Sequence, residues 1–148
     1  MLDNIEILPI SLDDYEFGYT IKEMVLKEYI EKTWGKWDNE KQKGYYSKNF
    51  KLENNYLIKY SGRKIGWLEY FEKEFLIEIN QIFIHPEYQG KGIGSFIIKD
   101  IINKGINIKK PIILQVLKSN EKAIKLYQKL GFIEYEDTKT HLLLKYNI

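Results

Sequence analysis

Residues 82–95, running from Ile82 through His85, Pro86 and Gln89 to Ser95, constrain the fold more than any other stretch of this chain. An apolar, β-like run ends at Pro86 and passes into a turn with glycine at positions 90, 92 and 94. Ile97, Ile98, Ile101 and Ile102 then recur at helical spacing. Strand, glycine turn and helix start, in that order, set the unpaired N–H groups of a first helical turn at the end of a strand. The positive end of the helix dipole lies there too. Such a place binds negatively charged oxygens, and glycines remove the Cβ atoms that would hold a phosphate away from the donors. The stretch points to phosphate binding.

The rest of the chain supplies a single α/β domain around it, over residues 1–148. Ile5 and Ile7 suggest a short first strand, with Pro9 marking it as an edge. Ser11 and Asp14 look like a helix start, and Phe17, Ile21, Met24, Val25 and Tyr29 carry the helix towards Trp34 and Gly35. Asp38 can cap a second helix to about Asn49, anchored by Tyr45, Tyr46 and Phe50. Residues 56–60 and 65–71, joined by a turn at 61–64, read as a β-hairpin. Residues 111–117 are apolar on both faces, as a covered central strand requires. A helix capped by Ser119 or Asn120 follows. Its stripe is Ala123, Ile124, Tyr127 and Leu130, and Gly131 ends it. Residues 132–135 and 141–146 close as two strands. Gly105 is the expected stop of the helix after the glycine turn.

One irregularity stands out in the strand expected over 75–84. Phe75, Ile77 and Ile79 alternate at odd positions, whereas Ile82 and Ile84 fall at even ones. A period-2 pattern changes face only by inserting a residue, so a β-bulge is expected near Asn80 and Gln81. A polar interruption of an ordinary strand is the other reading of these residues.

Several functions are excluded or disfavoured. There is no cysteine, which removes disulfides, thiolate zinc sites and a cysteine nucleophile. With only His85 and His141 as imidazoles, no metal is expected; His85, next to Pro86, reads mainly as a turn residue. The 23 basic and 21 acidic residues are interspersed, and the net charge of +2 gives no reason to expect nucleic acid or an anionic membrane as partner. No apolar run approaches the ~18–20 residues of a membrane span, and the first residues show no basic, then apolar, leader. The expectation is a soluble cytoplasmic protein, monomeric or homodimeric.

The glycine turn is not a Walker A loop, because no stretch has the required Gly-x4-Gly-Lys pattern. A dinucleotide fingerprint would need glycine or alanine where Ser95 or Ile97 stands. Gln89, Gly92 and Gly94, directly after a strand, instead resemble the [Arg/Gln]-x-x-Gly-x-[Gly/Ala] signature of the GNAT superfamily of N-acetyltransferases. Asn120, Ala123, Tyr127, Gly131 and Phe132 resemble that family's second motif. The order β-α-α-β-β-β-α-β-α-β-β is similar to the family's over nearly the whole length.

The resemblance implies a mixed, mostly antiparallel sheet of about seven strands with a bulged fourth strand, flanked by about four helices. It implies acetyl-CoA as cosubstrate, held by Ile82 and Ile84, by the loop of Gln89, Gly90, Lys91, Gly92, Ile93, Gly94 and Ser95, and by Asn120 and Tyr127. It also implies direct attack of a primary amine on the thioester, without an acyl-enzyme. A backbone N–H near Ile82 would then serve the oxyanion, and Tyr127 would protonate the leaving thiolate. Glu78 is the favoured base, against its reading as a solvated strand glutamate. Trp34, Trp37, Tyr45 and Tyr46 are candidate liners of the acceptor pocket; the two tryptophans read equally as core. Peptide N-termini, lysine side chains, amino acids and amine drugs all stay open as acceptors. A non-catalytic module that binds or senses acyl-CoA is the alternative from another class.

Overall fold

A computed structural model describes residues 2–148; Met1, at the N-terminus read above as leaderless, lies outside them. The first strand, β1 (Ile5–Pro9), is followed by the helices α1 (Tyr15–Trp34) and α2 (Asn39–Asn49). Next come β2 (Asn55–Tyr60), β3 (Arg63–Glu72) and β4 (Ile77–Ile84). The glycine turn opens α3 (Ile93–Ile108), and β5 (Ile112–Leu117) leads to α4 (Glu121–Lys129). The chain ends in β6 (Ile133–Asp137) and β7 (His141–Tyr146). The strands form one mixed sheet in the order β1-β2-β3-β4-β5-β7-β6, antiparallel except where β4 meets β5. Among the described residues, no helix is long and apolar enough to cross a membrane.

Helix starts follow local chemistry. The Asp14 carboxylate accepts from the Ser11 N–H at 2.8 Å ahead of α1, and Asp38 Oδ1 accepts from the Lys41 N–H at α2. Asn120 Oδ1 accepts from the Ala123 N–H at 3.1 Å and caps α4. Core forms on both faces of the sheet. On one, Ile77, Ile79, Ile112, Leu114 and Leu144 pack with Ile97, Ile98 and Ile101 of α3 and with Tyr127 and Phe132. On the other, Leu57, Trp67 and Phe83 pack with Ile21 of α1.

The bulge lies where the alternation changes phase. Glu69 pairs with Gln81 but Tyr70 pairs with Ile79, leaving Asn80 as the extra residue. Ile79 and Ile82 consequently pack against the same cluster, and Phe83 belongs to the opposite one. Pairing between β4 and β5 covers only Ile77 to Ile79, opposite Ile112 to Leu114. Beyond Ile79 the two strands separate, and the sheet opens into a wedge.

Two expectations need correction. Gly105 does not end its helix. α3 continues to Ile108 and stops on Lys109, at φ 60°. Gly105 is buried, and a Cβ there would come within 2.6 Å of the Lys110 carbonyl oxygen and the Ile112 side chain. The glycine allows close helix–strand approach. Phe75 is not a strand residue either. The reversal extends through Leu76, whose carbonyl accepts from the Lys73 N–H, and Phe75 sits at its tip, 76% exposed.

Candidate active site

The wedge between β4 and β5 opens into a cleft of about 500 Å³. Its floor includes Ile82 and Ile84 of β4; one wall is the glycine turn with the start of α3, another is α4 with Asn120, Ala123 and Tyr127. Gly92 holds φ +83°, a left-handed value that favours glycine, and the position of its missing Cβ faces open space. It is also the cap residue of α3, so the unpaired amides of the first turn face the cleft. The Gln89 side chain ties this loop to its neighbours. Its Nε2 donates to the Ile84 carbonyl at 2.8 Å, and its Oε1 accepts from Lys122 Nζ at 3.1 Å. That set fits a pyrophosphate: helix N–H donors, a loop free of side-chain bulk, and a lysine at the rim.

Of the expected cosubstrate contacts, Ile82, Ile84, Gln89, Gly90, Gly92, Ile93, Gly94, Ser95, Asn120 and Tyr127 all line this cleft. Lys91 does not. Its exposed amine stands 5.9 Å from the centre of the Tyr88 ring. Tyr127 packs against Phe132, ring centroids 6.0 Å apart and planes tilted by 60°, and burial pushes its phenol up to about 12. Sequence reasoning missed a further wall, the flank of α1 that presents Met24, Val25, Leu26 and Tyr29. The helical stripe there reads as core, but part of it stays uncovered: Met24 is 47% exposed.

A second cavity, of about 700 Å³, lies on the α1–α2 side of the sheet. It is bounded by Lys22 of α1, Tyr45, Tyr46 and Asn49 of α2, Trp67 and Glu69 of β3, and Asn80 and Gln81 at the bulge. Consecutive residues of β4 line the two cavities, Gln81 this one and Ile82 the cleft. Asn55 organises its inner wall, accepting from Trp67 Nε1 at 2.8 Å and donating through Nδ2 to Glu69 Oε2. The Asn80 amide donates to the other oxygen of Glu69. The Tyr46 hydroxyl donates to the Tyr15 carbonyl at 2.8 Å, and its burial raises its pKa.

Tyr45 and Tyr46 therefore border this cavity, but Trp34 and Trp37 do not. Trp37 is buried against Tyr19, with its indole N–H on Asn39 Oδ1 at 2.9 Å. Trp34 is 60% exposed, its ring 6.2 Å from that of His141 at the start of β7. Glu78 reaches neither cavity. It precedes the bulge, opposite Phe71 and Ile113, and pairs with Lys73 at 3.1 Å. His85 accepts from the Glu87 N–H through Nδ1 and caps the 3-10 turn Pro86–Tyr88.

The Acetyltransferase (GNAT) family profile matches residues 13–132. The chain belongs to the GNAT family. Spermidine N(1)-acetyltransferase of Escherichia coli K12 is 40% identical over 91 residues, covering 54% of this chain and 45% of that protein. An N-acetyltransferase of Methanocaldococcus jannaschii is 29% identical over 121 residues, 75% of this chain and 50% of the relative. The chain spans about half the length of these curated relatives. Among solved structures, this GNAT domain superposes on the PaiA N-acetyltransferase of Thermoplasma acidophilum, crystallised with coenzyme A, with a TM-score of 0.78. That match covers 97% of this chain and 99% of the other at 17% identity, a likeness of fold. A GNAT acetyltransferase of Elizabethkingia anophelis with acetyl-CoA bound matches at a TM-score of 0.64 and 22% identity, covering 99% of both chains.

Proposed function

We propose that this GNAT domain binds acetyl-CoA in the wedge and transfers its acetyl group directly to a primary amine bound in the cavity beside the bulge. The observation that carries the reading is that consecutive residues at the bulge, Gln81 and Ile82, line the two cavities. An acyl donor in one and an amine in the other reach each other only across the bulged backbone. The coenzyme supplies an acetyl group activated as a thioester.

The protein's own groups then have distinct tasks. Amides of residues 89–95 hold the pyrophosphate. A backbone N–H near Ile82, left without a β5 partner where pairing ends at Ile79, donates to the carbonyl oxygen as it gains charge. The amine lone pair forms the new C–N bond while the C–S bond breaks and the sulfur takes the electron pair. Tyr127, lining the cleft, stabilises that sulfur with a hydrogen bond from its phenolic O–H and relays to it the proton that completes the thiol. The amine arrives as an ammonium and gives up one proton before attack and one after. Glu69, fixed by Asn55 and Asn80 on the acceptor side, takes the role expected of Glu78, directly or through water. Polyamines and amino acids are both acceptor classes among the relatives, which include spermidine and thialysine acetyltransferases and an L-amino acid N-acyltransferase.

Release of free coenzyme A thiol, followed across a panel of amines, tests the proposal. Turnover with an amine, giving acetylated amine in equal amount by mass spectrometry, is expected. Tight acetyl-CoA binding with no turnover on any amine would favour the acyl-CoA-sensing alternative instead.

A further inference from the structure

Lys22 makes no side-chain hydrogen bond or ion pair among the described residues. Its side chain leaves α1 into the cavity beside the bulge, yet none of the five ion pairs among the described residues includes it. The other charges at this cavity divide by depth. Lys51, Glu53 and Glu72 are exposed at the rim, where solvent screens them, whereas Lys22 and Glu69 are partly buried inside. From α2 only Tyr45, Tyr46 and Asn49 face inward, and from β4 only Asn80 and Gln81. The interior thus offers one cation and one anion that are not paired with each other. Glu69 is held by two side-chain amides next to the bulge, and Lys22 is free.

We propose that this cavity selects amine acceptors that also carry a carboxylate, with Lys22 receiving the carboxylate and Glu69 facing the ammonium. The proposal rests on the assignment of this cavity as the acceptor site. Burial lowers the pKa of Lys22, and Glu69 only partly offsets it. A half-desolvated ammonium in that state gains from an anion brought by the ligand. A diamine or polyamine would instead set a second cation beside Lys22, which costs free energy at short range.

Matched acceptors test this: L-lysine against cadaverine, and L-leucine against 3-methylbutylamine, each pair differing only by the carboxylate. Acetyl transfer is measured as kcat/KM in the wild type, Lys22→Met and Lys22→Arg. The wild type should favour the carboxylated member of at least one pair by about tenfold or more, worth ~1.4 kcal/mol. Lys22→Met should erase that preference and Lys22→Arg should keep it, with acetyl-CoA affinity by calorimetry unchanged in both. A preference for the decarboxylated amines, or an equal preference in wild type and Lys22→Met, would overturn the proposal. Should no acceptor in the panel turn over, the two amino acids are titrated into isotopically labelled protein with acetyl-CoA bound. Shifts confined to the Lys22, Glu69 and Asn80 region support the proposal, and none at millimolar ligand overturns it. Turnover of other amines in that case would leave the proposed acetyl transfer standing and reject only the carboxylate.

Discussion

With its phenol pushed up to about 12 by burial, Tyr127 keeps its proton through the range where an ordinary thiol, near ~8.5, ionises. It is therefore always a donor at neutral pH, but full transfer to a thiolate is uphill, so much of its effect is a hydrogen bond to the departing sulfur. Loss of a general acid costs about 10²–10⁴-fold, and a donor working partly as a hydrogen bond belongs near the bottom of that range. Tyr127→Phe keeps the ring against Phe132, so kcat should fall at least ~10-fold while acetyl-CoA affinity and Tm hold. Unchanged turnover, on an acceptor for which chemistry limits the rate, would return Tyr127 to a packing role. Asp14 is a second residue whose environment makes a prediction. Its burial works against ionisation, but Lys64 at 2.7 Å and the Ser11 N–H outweigh that and hold its pKa below the usual value of 3.8. A depressed carboxylate pKa adds stability that is complete above the unfolded value and is lost as pH falls through the folded one. Lys64→Met should accordingly cost about 1–2 kcal/mol at neutral pH. The difference in urea midpoint from wild type should shrink below pH ~4, and a difference constant across pH would refute the assignment.

At the scale of elements, the bulge and the glycine turn were legible because each rests on local rules. A period-2 strand that switches phase must carry an extra residue, and Asn80 supplies it. Gly92 sits at φ +83° as the cap of α3. A Cβ there meets no atom within 4 Å, so Gly92→Glu should still fold, with a left-handed penalty of about 1–2 kcal/mol. It would place a carboxylate where the pyrophosphate is proposed to lie, and acetyl-CoA affinity by calorimetry should drop at least ~10-fold. Unaltered affinity in the folded variant would move the cosubstrate elsewhere. Other positions depend on distant neighbours. Gly105 resembles a helix stop until Ile112 and Lys110 are seen packed against it. Trp34 and Trp37, close in sequence, go to solvent and to core; Trp37 takes the core alternative because Tyr19 and Asn39 close over it. The proposed acceptor side was the least legible. Lys22 on α1 and Glu69 on β3 carry no motif and converge only through the tertiary fold.

For the whole molecule, the relation of the two cavities decides the order of chemical events. They share no lining residue, with Gln81 in one and Ile82 in the other, so a donor in the 500 Å³ cleft leaves the lining of the 700 Å³ cavity free. An acyl-enzyme route would instead need a nucleophile in the cleft, to hold the acetyl group after coenzyme A departs. The chain has no cysteine, and a tyrosine that ionises at about 12 is almost wholly protonated at neutral pH, hence a poor nucleophile. Ser95, in the first turn of α3, has no imidazole within the cleft lining to activate it. Both substrates should then be bound together before transfer. Initial rates measured at several fixed concentrations of each substrate should give double-reciprocal lines that intersect. Incubation with acetyl-CoA alone should leave the mass of the intact protein unchanged. Parallel lines, together with a stable gain of one acetyl group that a later amine removes, would establish a covalent intermediate and overturn direct transfer across the bulge.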